Sequence, residues 1–444
     1  MKLYFVSLGC DKNLVDSEKM LAILDHEGYV LTDDPKQADI IIVNTCAFIH
    51  DAKQESIETL LELAEYKKSG NCKVLIAAGC LAERYQKEIL NEMPELDGII
   101  GTTAYDAVSE VVHQAVRGER PVTTKELSYL PSRLTERHLS GGSHVAHLKI
   151  SEGCNKNCSY CIIPSMRGRY RSIPMEELVE ETVRLSAKGV KEVILVAQET
   201  TLYGVDLYGE KKFPELLTRL SRIEGVEWLR ILYCYPEEIT EELAKVIRDN
   251  EKICNYLDIP IQHCNDVILK KMGRLTNKQQ LYEKIRMLRE LIPDVALRTT
   301  LISGFPGETK EQHEECIEFV TEMKFDRLGV FPYSPEEGTK AAEFDGQIDE
   351  EIKRERADAI MQVQQQVIFE QNDKMTGKKI TAIVDGYMPE DDVYVARTYR
   401  DAPDIDGCVF FHAPFEIMSG TFVKLVVTDA MGYDLMGELY DEEE

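Results

Sequence analysis

Three times in the first 120 residues a short apolar run gives way to a cysteine and then to an amphipathic helical pattern: Lys2 to Ser7 before Cys10, Ile40 to Asn44 before Cys46, and Val74 to Ala78 before Cys80. Apolar runs alternating with helical periodicity predict βαβ units and a parallel sheet. The cysteines lie 36 and 34 residues apart, about one βα unit each. All three therefore fall at the same sheet edge, beyond the carboxyl ends of the strands, where open α/β sheets bind ligands. Taken singly, each is a small buried hydrophobe; together they read as one shared ligand set. Cys72 precedes its strand, falls at the opposite edge and is left out of the set.

The pattern dissolves over residues 121–143 into Pro, Ser, Thr, charged residues and Gly141-Gly142, which predicts a linker. Six strand candidates follow: His144 to Ser151, Glu192 to Ala197, Trp228 to Tyr233, Tyr256 to Gln262, Ala296 to Ser303 and Arg327 to Tyr333. Helical patterns alternate with them, among them Met175 to Lys188, Glu237 to Asn250, Lys278 to Leu291 and Lys310 to Met323. Six βα units make a partial (βα)6 barrel rather than the closed eightfold one. A long Gln-rich helix, about Asp349 to Met375, ends the segment. Short runs with Gly and Asp turns then predict a small antiparallel β-barrel from Lys379 to Asp385, Val393 to Arg400, Cys408 to His412 and Thr421 to Asp429. The chain thus reads as α/β throughout its first two domains: residues 1–120, a linker 121–143, a core 144–373 and a β domain 374–444.

Cys154, Cys158 and Cys161 stand at x3 and x2 spacing just after the first strand of the central segment. A loop of this length wraps three thiolates around one face of a [4Fe-4S] cubane and leaves the fourth iron without a protein ligand. A structural zinc site, the competing reading, would be closed by four ligands, and the nearest fourth candidates are His144 and His147. Those histidines lie on the strand itself, pointing to alternate sides, and no second cysteine pair follows nearby.

Cys-x3-Cys-x-Tyr-Cys at the end of the first strand of a partial barrel resembles the radical S-adenosylmethionine (SAM) superfamily. The resemblance implies that SAM is chelated by the open iron and is cleaved by an electron from the cluster to methionine and a 5'-deoxyadenosyl radical. It places Tyr160 beside the adenine. Where the superfamily often has Gly-Glu-Glu after the second strand, this chain has Ala197-Gln198-Glu199, so Gln198 or Glu199 would serve the methionine end. Gln262 after the fourth strand and Arg298 in the fifth are expected at or near the upper rim, suited to the ribose and carboxylate. A tight turn and helix cap are expected at Gly304-Phe305-Pro306-Gly307-Glu308-Thr309. Cys234, Cys254, Cys264, Cys316 and Cys408 occur singly and read as packing residues, with Cys234 facing the barrel mouth.

A three-cysteine N-terminal domain, a radical SAM core and a small β domain together resemble the methylthiotransferase family over essentially the whole chain, the β domain resembling a TRAM substrate-recognition module. The resemblance implies a second, auxiliary [4Fe-4S] cluster on Cys10, Cys46 and Cys80, two SAM molecules consumed per product, and an electron donor such as flavodoxin or ferredoxin. Two branches compete. One modifies an adenosine of tRNA, the other the β-carbon of an aspartate in small-subunit ribosomal protein twelve.

The stretch Asp11-Lys12-Asn13-Leu14-Val15-Asp16-Ser17-Glu18 resembles the second branch, where tRNA enzymes usually read Gly-Cys-Gln-Met-Asn. Charge points the same way: 79 acidic against 52 basic residues give -27. Residues 374–444 hold six basic against fifteen acidic side chains, a net of -9. Such a surface repels phosphate and suits a basic protein. Strong tRNA binding and a membrane span are not expected. Twelve scattered cysteines in a chain of 444 residues fit metal ligation in a reducing cytoplasm better than a disulfide framework. Leu8-Gly9-Cys10 looks like a lipidation site, but too few residues precede it for an apolar signal core.

Overall fold

A computed structural model describes residues 1–131, 136–139 and 144–440. The Gly141-Gly142 pair of the expected linker and the acidic run Asp441 to Glu444 lie outside them. The chain divides into two compact units: Met1–Ser140 with Ser151–Ile173 and Ser334–Ala342, and Gly141–Ile150 with Pro174–Tyr333 and Glu343–Glu444. Among the described residues no helix is long and apolar enough to cross a membrane.

The first unit is built on a six-stranded parallel sheet in the order Val30–Leu31, Lys2–Ser7, Ile40–Thr45, Val74–Gly79, Gly98–Ile100, Val122–Thr123. Its central strands are buried along their whole length because helices cover both faces, and this explains their unbroken apolar composition. Ile41, Val43, Leu75 and Ile99 pack to one side. Leu3, Ile40, Ile42, Ile76 and Ile100 pack to the other. Val122–Thr123, inside the expected linker, is instead the last strand of this sheet; two residues are too few to show a period.

The second unit holds a second parallel sheet, with Val145–Lys149, Glu192–Val196, Trp228–Ile231, Ile253–Asp258, Ala296–Ser303 and Arg327–Pro332 in sequential order. The helix Glu350–Asp373 packs on its last strand. The first expected strand is split: Val145–Lys149 pairs in this sheet, whereas Ser151–Glu152 pairs antiparallel with Arg171–Ser172 in the first unit.

The C-terminal segment is a closed five-stranded barrel of Lys379–Met388, Val393–Thr398, Val409–His412, Phe422–Met431 and Asp434–Leu439. The last strand was not expected, and it pairs parallel to Val409–His412 in an otherwise antiparallel barrel. A turn through Gly432 precedes it, and its DLMGEL sequence carries no β-branched residue.

This barrel closes the amino end of the second sheet. Trp228, Tyr256 and Ala296, at or near the starts of their strands or in their middle, share a core with Ile383, Ala402 and Phe422, and Trp228 meets Phe422 edge to face at 4.9 Å. A buried ion network crosses the junction. Glu192 lies 2.6 Å from Arg230 and 2.9 Å from Arg397; Arg397 and His144 both engage Asp385, at 2.6 and 2.9 Å. Arg327 pairs with Asp401, and Arg400 with Asp326.

Arg298 belongs to this network as well. It is the third residue of the strand Ala296–Ser303 and lies level with Asp258, the last residue of the neighbouring strand, and its guanidinium lies 3.0 Å from Asp258 and 3.6 Å from Asp406. The sequence shows that a strand contains Arg298 but not that a carboxylate of the C-terminal barrel engages it.

Burial pushes the Glu192 carboxyl up, and Arg230 and Arg397 overcome it, holding it below the usual carboxylate range. Asp385 and Asp401 are lowered in the same way, by His144 with Arg397 and by Arg327 respectively. Groups lowered in the folded state stabilise fully above their unfolded pKa of about 4 and lose that contribution as pH falls through the folded value. Stability measured by urea unfolding, followed through the fluorescence of the single tryptophan, Trp228, is therefore expected to hold down to about pH 4 and to fall below it. At neutral pH Glu192→Gln is expected to lose about 3–5 kcal/mol, since it leaves two buried guanidiniums short of a counter-charge.

Candidate active site

Cys10, Cys46 and Cys80 each follow a strand of the first sheet directly or within three residues. Ser7 is in register with Asn44, and Thr45 with Gly79, so the three turns emerge side by side at the carboxyl edge. Cys10 caps the helix Asp11–His26, its carbonyl accepting from the backbone N–H groups of Asn13 at 2.8 Å and Leu14 at 3.1 Å. Cys80 opens the helix Cys80–Glu92. Thiolates are favoured at such helix starts.

The residue before two of these cysteines must be glycine. Gly9 has φ +85°, and a Cβ there would lie 2.9 Å from Cys46 Sγ; Gly79 has φ +86°, and a Cβ would strike Asn44 and Thr45. Cys46 and Cys80 are buried and Cys10 is half-buried. Burial pushes the Cys46 thiol up to about 11, with Cys80 and Cys10 adding to the effect. Burial likewise raises Cys80, against the pull of Arg167.

Asn13 ties the turns together. Its Nδ2 donates to the carbonyls of Leu8 and Thr45, both at 3.0 Å, and its own carbonyl accepts from Asn44 at 2.9 Å. The stretch Asp11 to Glu18 that carried the family resemblance thus contains the brace beneath the cysteines. Ser56 secures Cys46 from the other side, its hydroxyl accepting from the Cys46 N–H and donating to the Cys46 carbonyl.

Cys154, Cys158 and Cys161 lie in the loop between Ser151–Glu152 and the short helix Ile163–Arg167, in the same unit. The Cys154 N–H donates to the Gly168 carbonyl at 3.1 Å, and Asn155 Oδ1 accepts from the Tyr170 N–H at 3.1 Å. Gly153, at φ +78°, passes so close to Gly168 and Arg169 that a Cβ would collide with their carbonyls. The loop is therefore folded back on the segment that follows it. Ile162 and Met166 anchor it in the core beside Leu81 and Ala82.

Each trio supplies three free thiols as soft donors. His144, one of the alternative fourth zinc ligands, is engaged with Asp385.

Sequence reasoning missed Arg167. Its side chain, 3% exposed, lies 3.1 Å from both Asp16 and Glu152 through Nη1, while Nη2 donates to Asn13 Oδ1 and, at 3.5 Å, to Cys80 Sγ. One guanidinium thus joins the brace, the strand leading to Cys154, and an N-terminal cysteine. The available signal was the basic run Arg167-Gly168-Arg169-Tyr170-Arg171 directly after the third cysteine.

Tyr160 sits in the cysteine loop, half-buried. Gln198, Glu199 and Gln262 lie in the second unit, past the carboxyl ends of their strands. Glu199 is buried and accepts from the Thr201 hydroxyl at 3.3 Å. Gln262 is held at φ +71° by two backbone hydrogen bonds, to Thr300 and from Ile302, both 2.8 Å. Tyr233, at φ +61°, is a second non-glycine residue in the left-handed region just past a strand end. Such strain persists where the surroundings impose it, and it concentrates at functional sites. Cys234 is fully buried against the Thr200 hydroxyl at 3.6 Å. The Gly304–Thr309 turn is a cap: Glu308 accepts from the Gly304 N–H at 2.9 Å, and Thr309 with Gln312 forms a capping box on Lys310–Met323.

The fold and the cysteine loop after its first strand are those of a radical SAM enzyme. Family models match in three segments: an uncharacterized protein family, UPF0004, at residues 2–101, the radical SAM superfamily at 148–320, and the TRAM domain at 376–439. Solved structures of the radical SAM methyltransferase TsrM from Kitasatospora setae share the fold, with TM-scores of 0.55 and 0.56 at 14% and 15% identity over 74% and 77% of this chain and 72% and 73% of theirs.

Sequence relatives lie much nearer. The chain is 56% identical to the ribosomal protein uS12 methylthiotransferase RimO of Lachnoclostridium phytofermentans over 98% of its length and 99% of the relative's. It is 46% identical to the protein of that name from Clostridioides difficile, over 100% and 99%. The chain belongs to the RimO family.

Arg167→Met is expected to destabilise the first unit by about 3–5 kcal/mol in chemical denaturation, because Asp16 and Glu152 are left buried without their cation. Arg167→Lys keeps the charge but not the fork and is expected to fall between.

Proposed function

We propose that the chain is a radical SAM methylthiotransferase that places a methylthio group on the β-carbon of an aspartate in ribosomal protein uS12. The observation that carries the chemistry is the presence, in one compact unit, of two cysteine trios, with Arg167 joining Cys80 of one to Glu152, two residues before Cys154 of the other. The substrate rests on the full-length RimO relatives and on the acidic C-terminal barrel. Eleven acidic side chains lie in residues 374–440 against six basic ones, a balance that attracts a basic ribosomal protein and repels tRNA phosphate.

In this reading Cys154, Cys158 and Cys161 hold one [4Fe-4S] cluster and Cys10, Cys46 and Cys80 the other. Bound there with SAM, the clusters supply the one-electron chemistry and the sulfur to be transferred. The protein's part is positional. Gly9, Gly79 and Gly153 let the backbone pass close behind the sulfurs, Asn13 fixes the spacing of two turns, and Arg167 presents an N–H to Cys80. Tyr160 would flank the adenine, Gln198 or Glu199 the methionine end, and Gln262 the ribose. Arg298, occupied by Asp258 and Asp406, is dropped from that set. The enzyme would work in the cytoplasm, use two SAM per product and take electrons from a flavodoxin- or ferredoxin-like donor.

Anaerobic reconstitution is expected to load about eight irons per chain, and Cys10→Ala about four. Cys154→Ala should abolish 5'-deoxyadenosine formation. Cys10→Ala should retain it while ending methylthio transfer. Mass spectrometry of uS12 and of tRNA from cells lacking the gene decides the substrate: loss of the methylthio mass from tRNA instead of uS12 overturns the proposal.

A further inference from the structure

Cys264 and Cys316, which sequence alone presents as isolated packing residues, lie side by side in the second unit. Cys264 ends the turn after Ile253–Asp258, and Cys316 lies on the inner face of the helix Lys310–Met323. Their sulfurs are 3.3 Å apart, closer than two unbonded sulfurs ordinarily pack and about 1.2 Å beyond a disulfide bond. His263 completes the cluster, Cys316 Sγ standing 3.5 Å from both of its ring nitrogens. All three residues are 2% exposed or less.

Three soft donors within 4.8 Å of one another raise the possibility of a metal ion, but the geometry opposes it. A sulfur equally distant from both imidazole nitrogens cannot lie in the ring plane without striking the carbon between them, so Cys316 sits over the ring face. Nitrogen lone pairs lie in the plane. Nδ1, moreover, accepts the Asn265 backbone N–H at 2.9 Å, which leaves Nε2 to carry a proton toward Glu308, 3.6 Å away. Glu308 is itself held by Arg356 at 2.8 Å.

We propose that Cys264 and Cys316 form a redox-active thiol pair that peroxide converts reversibly to a disulfide, the sulfurs already standing 3.3 Å apart. The hydrogen bond from Cys264 draws the Cys316 thiol down against burial. Such a lowered thiol is the nucleophile. The Cys316 thiolate attacks one oxygen of hydrogen peroxide, forming an S–O bond and breaking O–O. The departing hydroxide takes up the proton that Cys316 released and leaves as water. Cys264 sulfur then displaces the second oxygen from Cys316, forming S–S and breaking S–O, and its own proton leaves with that oxygen as a second water. Two thiols lose two electrons in all, and one peroxide gains them.

The bond would tie the helix to the turn two residues beyond Gln262, stiffening the carboxyl edge of the second sheet. The proposal is independent of the methylthiotransferase reading.

The test uses the reduced, cluster-loaded full chain, treated anaerobically with equimolar hydrogen peroxide, blocked with N-ethylmaleimide in denaturant and mapped by mass spectrometry. A Cys264–Cys316 linked peptide is expected, reversed by dithiothreitol. Cys264→Ser should halt the reaction at a Cys316 sulfenic acid that dimedone traps. Thermal unfolding of each variant establishes that it folds, and Cys316→Ala serves in place of Cys264→Ser if that variant does not, with Cys264 then expected to stay unoxidised. Recovery of both cysteines as maleimide adducts overturns the proposal. So does a zinc ion bound by the reduced chain and lost in either cysteine variant.

Discussion

The first unit depends on the buried guanidinium of Arg167. Parallel sheets gather the turns that leave their strands at one edge, but gathering is not registration: thiols on three separate turns and a fourth loop need something to fix their mutual distances. Arg167 does so by holding Asp16, Glu152, Asn13 and Cys80 together. Its position is stable because two carboxylates offset the cost of burying its charge. A planar fork with five donors can serve four acceptors in different directions, which a lysine cannot.

The second unit solves a different problem. An open partial barrel leaves its amino end exposed, and here the C-terminal barrel plugs it with an apolar patch around Trp228 and Phe422 and with the Glu192–Arg230–Arg397–Asp385 network. The carboxyl edge stays available, and there the backbone is strained at Tyr233 and Gln262. Division of labour between the two ends follows the ordinary rule for parallel α/β sheets, with stability below and chemistry above.

Much of this was legible in the chain. The βα alternation gave two parallel sheets, the cysteine spacings gave two trios and their edge, and the turn at Gly304–Thr309 gave a helix cap, because each of these is a local pattern with a fixed period or spacing. What was missed had no such pattern. Val122–Thr123 is too short to show a period, and Asp434–Leu439 becomes a strand through its neighbours. The engagement of Arg298 by Asp406 has no local signature because the two are 108 positions apart. Cys264 and Cys316 looked solitary since 52 residues separate them.

Sequence by itself therefore determined the element types, the superfamily chemistry and the six cysteines to consider, since strand period, helix period and thiol spacing are all written within a few residues. Only the tertiary structure decided which polar groups meet: that Asn13 and Arg167 tie together turns that carry the N-terminal cysteines, that Arg298 serves the domain junction, and that two distant thiols lie beside one histidine. Long-range contacts carry no local signature. They arise when packing brings remote side chains within hydrogen-bonding distance, where burial makes each polar group depend on finding its partner.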